Sequence, residues 1–233
     1  ISEAIYNQIK MGVTAGLSFI DCDPISEDRA LKAALRAKQD WKDKFQLKIA
    51  CQTLQGVLDT EPSKWFHKHA EYFDIIGGLP RKDEGRESEH LDVLMNAAKL
   101  NDQRVHVHVD QLNCSTEKET ELLARKTMEH GMEVCVTAIH SISLAAHPKS
   151  YREEVYKMSL DAGLSFITCP TAWIDHRRNE TLCVTHNAVT PIDEMIPRGI
   201  PVAIGSDNIS DVYKPFSNGD MMVELRFLLE ATH

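Results

Sequence analysis

Short apolar runs recur along this chain at a nearly constant interval of about 30 residues. Between them lie segments whose apolar residues repeat three and four positions apart, the period of an amphipathic helix. Runs this apolar are typical of a parallel sheet covered by helices on its faces. The seven runs are LSFIDC (17–22), QLKIAC (46–51), FDIIGG (73–78), RVHVHV (104–109), EVCVTAI (133–139), LSFITC (164–169) and IPVAIG (200–205).

Glycines and capping residues mark the joints between these segments. AGLSFI occurs twice, with HGMEV and RGIPV as variants, and we expect each glycine to end a helix in the left-handed conformation just before a strand. Thr116 with Glu119 has the pattern of a capping box. Thr190 before Pro191 has the pattern of an N-cap followed by a proline in the first turn.

The number of predicted strands, seven, limits the choice of fold. A closed (β/α)₈ barrel needs eight strands, and the steady spacing leaves no room for an unseen strand inside the chain. We therefore expect one incomplete domain over residues 1–233, a TIM-like (β/α)₈ barrel seen as strands two to eight, with strand one preceding residue 1. An open doubly wound sheet, which can have any number of strands, is the alternative.

Composition excludes several classes of protein. The chain is 42% hydrophobic with a net charge of −9, and its scattered Lys and Arg form no basic stripe, so we expect no nucleic-acid partner. No apolar run approaches the roughly 20 residues that cross a bilayer, so we expect no membrane span. The six cysteines lack C-x-x-C pairs and several lie in apolar runs, which favours buried free thiols and a cytoplasmic protein.

Polar residues of metal-ligand type stand where several strands end. His106, His108 and Asp110 alternate along one strand and share a face, His140 ends the next strand, and Asp207 ends the last one. In a barrel the carboxyl ends of the strands form one rim, so these residues predict a partial site for Zn²⁺ or Fe²⁺. A single histidine at a strand end is more often a hydrogen-bonded polar residue. For His106, which lies deeper and would point into the barrel interior, we expect a hydrogen-bonded core role or a role in supporting the metal ligands.

VHVDQ, VTAIHS and AIGSDN, in this order, resemble the metal-dependent amidohydrolase superfamily and most closely its cytosine deaminase branch, which includes triazine and N-isopropylammelide hydrolases. The resemblance covers nearly the whole chain. It implies a distorted barrel and one divalent metal, held by an H-x-H pair on strand one, a histidine on strand five and an aspartate on strand eight. His108 and Asp207 match the last two ligands, and His140 matches the histidine that activates water or holds the substrate. The H-x-H pair has no match here.

Two positions depart from that pattern. Gln111 stands where deaminases of this branch have a glutamate that shuttles a proton, and an amide cannot do so near neutral pH. Asn208 stands where they have a second aspartate. We expect Gln111 and Asn208 to contact the substrate, together with Gln55 in the segment IACQTLQGVL. Gln52 in the same segment has an amide of the same kind, which is also suited to reading the donor and acceptor edge of a heterocycle.

Together these features predict a metal-dependent hydrolase that removes an amino or alkylamino group from a heterocycle such as a pyrimidine or triazine. With two of four ligands present, we expect the metal to be weakly held or absent, the chain to have little activity, and its open sheet edges to favour a homo-oligomer. A non-catalytic ligand-binding relative, or an unrelated barrel with incidental histidines, is the alternative. The connection with His176 and His186 is expected to be a loop over the barrel mouth.

Overall fold

A computed structural model describes residues 1–173 and 189–232 of the chain. The expected loop with His176 and His186 therefore lies outside the described residues. The chain divides into two compact units, Ile1–Val107 and His108–His233. The prediction of a single domain over residues 1–233 stays a prediction.

In the first unit, strands alternate with helices, and each strand pairs in parallel with the next one along the chain. The strands are β1 (Ala15–Asp21), β2 (Gln46–Gln52), β3 (Ile75–Gly78) and the first part of β4 (Arg104–Val109). The helices are α1 (Ser2–Lys10), α2 (Asp28–Trp41), α3 (Thr60–His69) and α4 (Glu87–Asn101).

The core of this unit lies between the strands and the helices. On α2 the buried positions Leu31, Ala34 and Ala37 recur every three residues, so one stripe of the helix faces the sheet. Ile49 on β2 and Leu94 on α4 are fully buried. Burial of each large aliphatic side chain of this kind stabilises the fold by about 1.5–3 kcal/mol.

The second unit continues the same alternation from the end of β4. Its further strands pair in parallel, β5 with β6 and β6 with β7. These strands are β5 (Val136–His140), β6 (Ser165–Thr168) and β7 (Val202–Ile204). The helices are α5 (Glu119–Glu129), α6 (Lys149–Asp161), α7 (Pro170–Trp173), α8 (Ile192–Met195) and α9 (Met221–Ala231).

The seven predicted strands are confirmed, since each apolar run overlaps one of β1 to β7. The left-handed glycines are confirmed at three joints, with φ of +62° at Gly131, +61° at Gly163 and +80° at Gly199. The prediction is wrong for Gly16, which lies inside β1. Gly12, with φ of +84°, takes that role after α1.

The predicted capping box at the start of α5 is wrong. The helix begins at Glu119, and the Thr116 hydroxyl contacts the Cys114 thiol at 3.1 Å instead of capping it. The free amides of the first turn are bonded by Asp110, whose carboxylate accepts hydrogen bonds from the backbone N–H groups of Glu119 at 2.7 Å and Thr120 at 3.0 Å. A side chain nine residues before the helix therefore supplies the cap.

The cysteines in the described part of the chain are free thiols, as predicted, and four of these five are buried. Cys183 lies outside the described residues. Among the helices of the described part, none is both long enough and apolar enough to span a membrane.

Candidate metal and active site

The two histidines predicted at neighbouring strand ends lie side by side in the second unit. The ring centroids of His108, on β4, and His140, on β5, are 5.3 Å apart, with the ring planes tilted by 46°. Both side chains are buried, His140 almost completely. The end of β5 is held to β4 by the backbone N–H of Ser141, which donates to the carbonyl of Val109 at 3.1 Å.

Asp207 completes this group three residues after β7. Its Oδ2 atom lies 3.6 Å from Nε2 of His140, and 29% of its side chain is exposed. The structure therefore brings His108, His140 and Asp207 together, as the sequence predicts. The carboxylate is the most accessible of the three groups.

The backbone at these positions adopts left-handed conformations that residues other than glycine rarely take. The φ angle is +73° at His140, +42° at Asp207 and +72° at Asn208. Such strain concentrates at functional sites, where the surrounding structure holds it in place. Here the Thr190 hydroxyl donates to the carbonyl of His140 at 2.5 Å. The prediction that Thr190 caps α8 is therefore wrong, since its side chain supports His140 instead.

Burial controls the charge of the imidazole at the centre of this group. It holds the pKa of His140 well below the usual value, and the neighbouring His108 lowers it further. His140 is therefore neutral at pH 7, with one ring nitrogen carrying a proton and the other a lone pair.

The carboxylate responds to burial in the opposite direction. Burial raises the pKa of Asp207 to about 6, and the nearby carboxylates of Asp211 and Glu224 contribute to the rise. Lys214 opposes it. At pH 7 the side chain is mostly ionised and close to the pH at which it takes up a proton.

Imidazoles and a carboxylate form the kind of donor set that Zn²⁺ and Fe²⁺ accept. His108 and Asp207 are the predicted ligands, and both belong to the group. Within the described residues, however, no cluster of three or more His, Cys, Asp or Glu side chains is arranged to hold a metal ion. His108 and Asp207 thus have donor atoms of a type that such a metal accepts, and their role as ligands stays a prediction.

The predicted substrate contacts lie at several places. Gln111 follows β4 and is partly exposed, and Asn208 donates from Nδ2 to Oδ2 of Asp211. Gln55 is exposed in the first unit, after β2. Nothing in the structure tests their roles, which stay predictions.

Two residues of the predicted strand-end set have other surroundings than expected. Asp110 has φ of +53° and directs its carboxylate to the first turn of α5, so its predicted place on the face of His108 is wrong. His106 is 9% exposed, and its Nδ1 atom has no hydrogen-bond partner among the described residues, contrary to the expected hydrogen-bonded role. Burial lowers the pKa of His106 to about 4, with a smaller contribution from Arg104.

Supporting residues were missed by sequence reasoning. The role of Thr190 depends on a contact with a residue 50 positions away in sequence, for which the local pattern has no signal. The role of Asp110 could have been found by asking which nearby acid caps α5. The two residues bond reciprocally, as in a capping box, since Glu119 in turn accepts the N–H of Asp110 at 3.0 Å.

The chain is similar in sequence and in fold to several known proteins. The solved structure of 5-methylcytosine deaminase from Klebsiella pneumoniae liganded with phosphonocytosine matches with a TM-score of 0.92 and 26% identity, over 99% of this chain and 57% of that one. N-isopropylammelide isopropyl amidohydrolase of Pseudomonas sp. (strain ADP) is 26% identical over 95% of this chain and 53% of its own length. An uncharacterized protein of Haemophilus influenzae is 50% identical over 84% of this chain and 72% of its own length.

The fold is thus of the TIM-like barrel type predicted from the sequence, with seven parallel strands among the described residues. The amidohydrolase family model matches residues 23–226, and the chain belongs to the amidohydrolase family. This family is generally metal-dependent. The chain spans a little over half the length of the deaminase and the amidohydrolase that it matches.

Proposed function

We propose that this protein is a metal-dependent hydrolase that removes an amino or alkylamino group from a nitrogen heterocycle. The observation that carries the proposal is the meeting of His108, His140 and Asp207 at one place in a chain of the amidohydrolase family. The names of two relatives, a cytosine-type deaminase and an N-isopropylammelide hydrolase, support the substrate class.

In this proposal, His108 and Asp207 are protein ligands of one zinc or iron ion. When bound, the ion would lower the pKa of a water molecule toward about 7, so that hydroxide would be available to attack an electrophilic ring carbon. Asp207 takes up a proton at its partly exposed carboxylate. His140, held neutral by burial, offers a ring N–H to the charge that develops on the attacked centre.

Gln111, unlike Asp207, cannot transfer a proton. Its amide neither ionises nor accepts a proton near pH 7, so it orients the ring by hydrogen bonds and leaves proton transfer to other groups. Asn208 has one amide hydrogen bonded to Asp211, which orients its side chain and leaves its carbonyl oxygen and its second N–H for contact with substrate.

A hydrolysis assay tests the proposal. The protein is loaded with Zn²⁺ or Fe²⁺ and given cytosine, whose hydrolysis releases ammonia, or N-isopropylammelide, whose hydrolysis releases isopropylamine. We expect slow release that Asp207→Asn abolishes and that His67→Ala, at an exposed histidine on α3, leaves unchanged. The rate should be low because the described residues include two of the predicted ligands and no complete cluster.

The alternative is that the protein is a non-catalytic, ligand-binding relative of these enzymes. Gln111 favours this alternative, because it stands where related deaminases have the glutamate that shuttles a proton. Metal content separates the two proposals. Ligand binding by protein that holds no metal under any loading condition, together with no product release, would support the binding protein over the enzyme.

A further inference from the structure

The end of β5 forms a strained turn centred on His140. The backbone N–H of Ser141 donates to the carbonyl of Ile139, two residues back, at 3.2 Å. Together with φ of +73° at His140, this bond has the pattern of a classic γ-turn, which is rare and strained. Ser141 is left-handed too, with φ of +50°. Two consecutive left-handed residues that are not glycine persist only where their surroundings hold them in place.

This turn sets the direction of the His140 imidazole. Nε2 of His140 lies 3.6 Å from Oδ2 of Asp207, and the ring centroid lies 5.3 Å from that of His108. Residues other than glycine prefer negative φ values. If the turn relaxed to such values, the Cα–Cβ bond of His140 would change direction and carry the ring away from the carboxylate. The groups that hold the turn therefore hold the imidazole in place.

Two buried hydroxyl groups contact the turn. One belongs to Thr190, which donates to the carbonyl of His140. The other belongs to Thr120, the second residue of α5, which donates to the hydroxyl of Ser141 at 2.9 Å. Thr120 and Ser141 are both fully buried. A buried hydroxyl that loses its partner pays its full cost of desolvation, so this contact favours the turn as it stands.

Asp110 fixes the position of Thr120 in turn. Its carboxylate accepts the N–H of Thr120 at 3.0 Å, and its backbone carbonyl accepts the N–H of Ser143, beyond the turn, at 3.1 Å. The Asp110 side chain is buried as well. One buried chain of hydrogen bonds thus joins the end of β4, the first turn of α5 and the turn at His140.

We propose that Thr120 is a positioning residue that directs the imidazole of His140 toward Asp207. It acts through the hydroxyl of Ser141, and it takes no part in binding metal or substrate. The effect on catalysis rests on the proposed function, whereas the bonded chain from Asp110 to Ser141 does not.

Steady-state kinetics of the zinc-loaded protein with cytosine test this role. Thr120→Val keeps the shape of the side chain and removes the hydroxyl. We expect it to lower kcat at least about tenfold with KM changed less than about twofold, because a small displacement of a catalytic group is enough for such a loss.

Thr127→Val is the matched control. Thr127 is also a fully buried threonine of α5, but its hydroxyl donates to the carbonyl of Leu123 in its own helix at 2.8 Å. This variant should change kcat less than about twofold. Thr120→Ser keeps the hydroxyl and should have a kcat within a few-fold of that of the unchanged protein.

Zinc affinity separates positioning from a general disturbance of the site. In the proposed function His108 and Asp207 hold the ion, and both lie outside the turn. Calorimetric titration should therefore give zinc affinities within about twofold for Thr120→Val and the unchanged protein. If Thr120→Val does not fold, Ser141→Ala removes the same contact from the other side and should lower kcat by a similar factor.

Nuclear magnetic resonance of the metal-free protein observes the turn without the reaction. We expect Thr120→Val to shift the imidazole signals of His140 and the amide signal of Ser141, and Thr127→Val to leave both in place. If the unchanged protein releases no product from cytosine, the proposed function is contradicted, and these signals alone decide whether Thr120 positions His140.

The inference is overturned if a folded Thr120→Val leaves the His140 signals unchanged or keeps the kcat of an active unchanged protein. It is also overturned if Thr120→Ser is as slow as Thr120→Val, or if Thr127→Val loses as much activity. Zinc binding weakened as much as kcat in Thr120→Val would likewise contradict a role that acts through His140 alone.

Discussion

Asp110 illustrates how the role of one residue depends on its surroundings. Its type and its spacing from His108 match a site residue, but its buried carboxylate bonds two backbone amides of α5. The sequence pattern reports the period of a strand, and the strand ends at Val109, so the pattern no longer applies one residue later.

Removal of this cap should destabilise the second unit. We expect Asp110→Ala to lower the free energy of unfolding by about 2 kcal/mol, because two buried N–H groups lose their acceptor. Asp220→Ala removes the more exposed cap of α9, which accepts the N–H of Met222 at 2.9 Å, and should cost about 1 kcal/mol or less. Urea unfolding of both variants measures the difference, and equal losses would contradict the role of Asp110.

At the scale of helices and strands, the sequence predicts the existence of elements better than their ends. Strands buried on both faces leave a continuous apolar signal, and all seven runs are strands. The start of α5 and the left-handed glycine after α1 were misplaced. The first depends on a carboxylate that reaches the helix through space, and the second on where α1 ends, at Lys10.

A pair of glycines tests the joints. Gly131 and Gly163 have the same left-handed φ, but a Cβ on Gly163 would lie 2.7 Å from Cγ1 of Val134, whereas one on Gly131 would meet no atom within 4 Å. We expect Gly131→Ala to cost about 1 kcal/mol for the backbone strain alone. Gly163→Ala should cost at least about 1 kcal/mol more because of the clash. Equal free energies of unfolding for the two variants would show that the contact between position 163 and Val134 does not affect stability.

The contact between α6 and α8 predicts a dependence of stability on pH. Arg152 donates to Oε1 of Glu194 at 2.5 Å and to Oε2 at 2.8 Å, and Tyr156 donates to Oε2 at 2.8 Å. The hydrogen bonds from Arg152, and then the one from Tyr156, lower the pKa of Glu194 from 4.5 to about 2. Because the folded pKa lies below the ordinary value, this stabilisation is complete above about pH 4.5 and is lost as the pH falls toward 2.

Glu194→Gln should therefore lower the free energy of unfolding by about 2 kcal/mol at pH 7, allowing for partial solvent screening, and by progressively less between pH 4.5 and 2. Glu230→Gln breaks an exposed pair with Arg226 and should cost less than about 0.5 kcal/mol. Denaturant unfolding across this pH range checks both variants. A loss for Glu194→Gln that does not change with pH would rule out the ion pair as its cause.

For the whole molecule, the sequence predicts the barrel fold and the family, which the comparisons confirm. It also predicts which three side chains meet in the second unit, because the carboxyl ends of parallel strands lie on one edge. It does not predict that Thr190 supports His140, since that contact joins residues 50 positions apart in sequence. The cytoplasmic location and the homo-oligomer stay predictions, and analytical ultracentrifugation tests the latter.

In the proposed function, His108 and Asp207 hold one metal ion beside His140. Calorimetric titration with Zn²⁺ tests it most directly. We expect about one equivalent to bind, more weakly than at a four-ligand structural site, with affinity at least about tenfold lower in His108→Ala and unchanged in His67→Ala. No zinc binding by the unchanged protein, or equal affinity for zinc in His108→Ala, would contradict the claim.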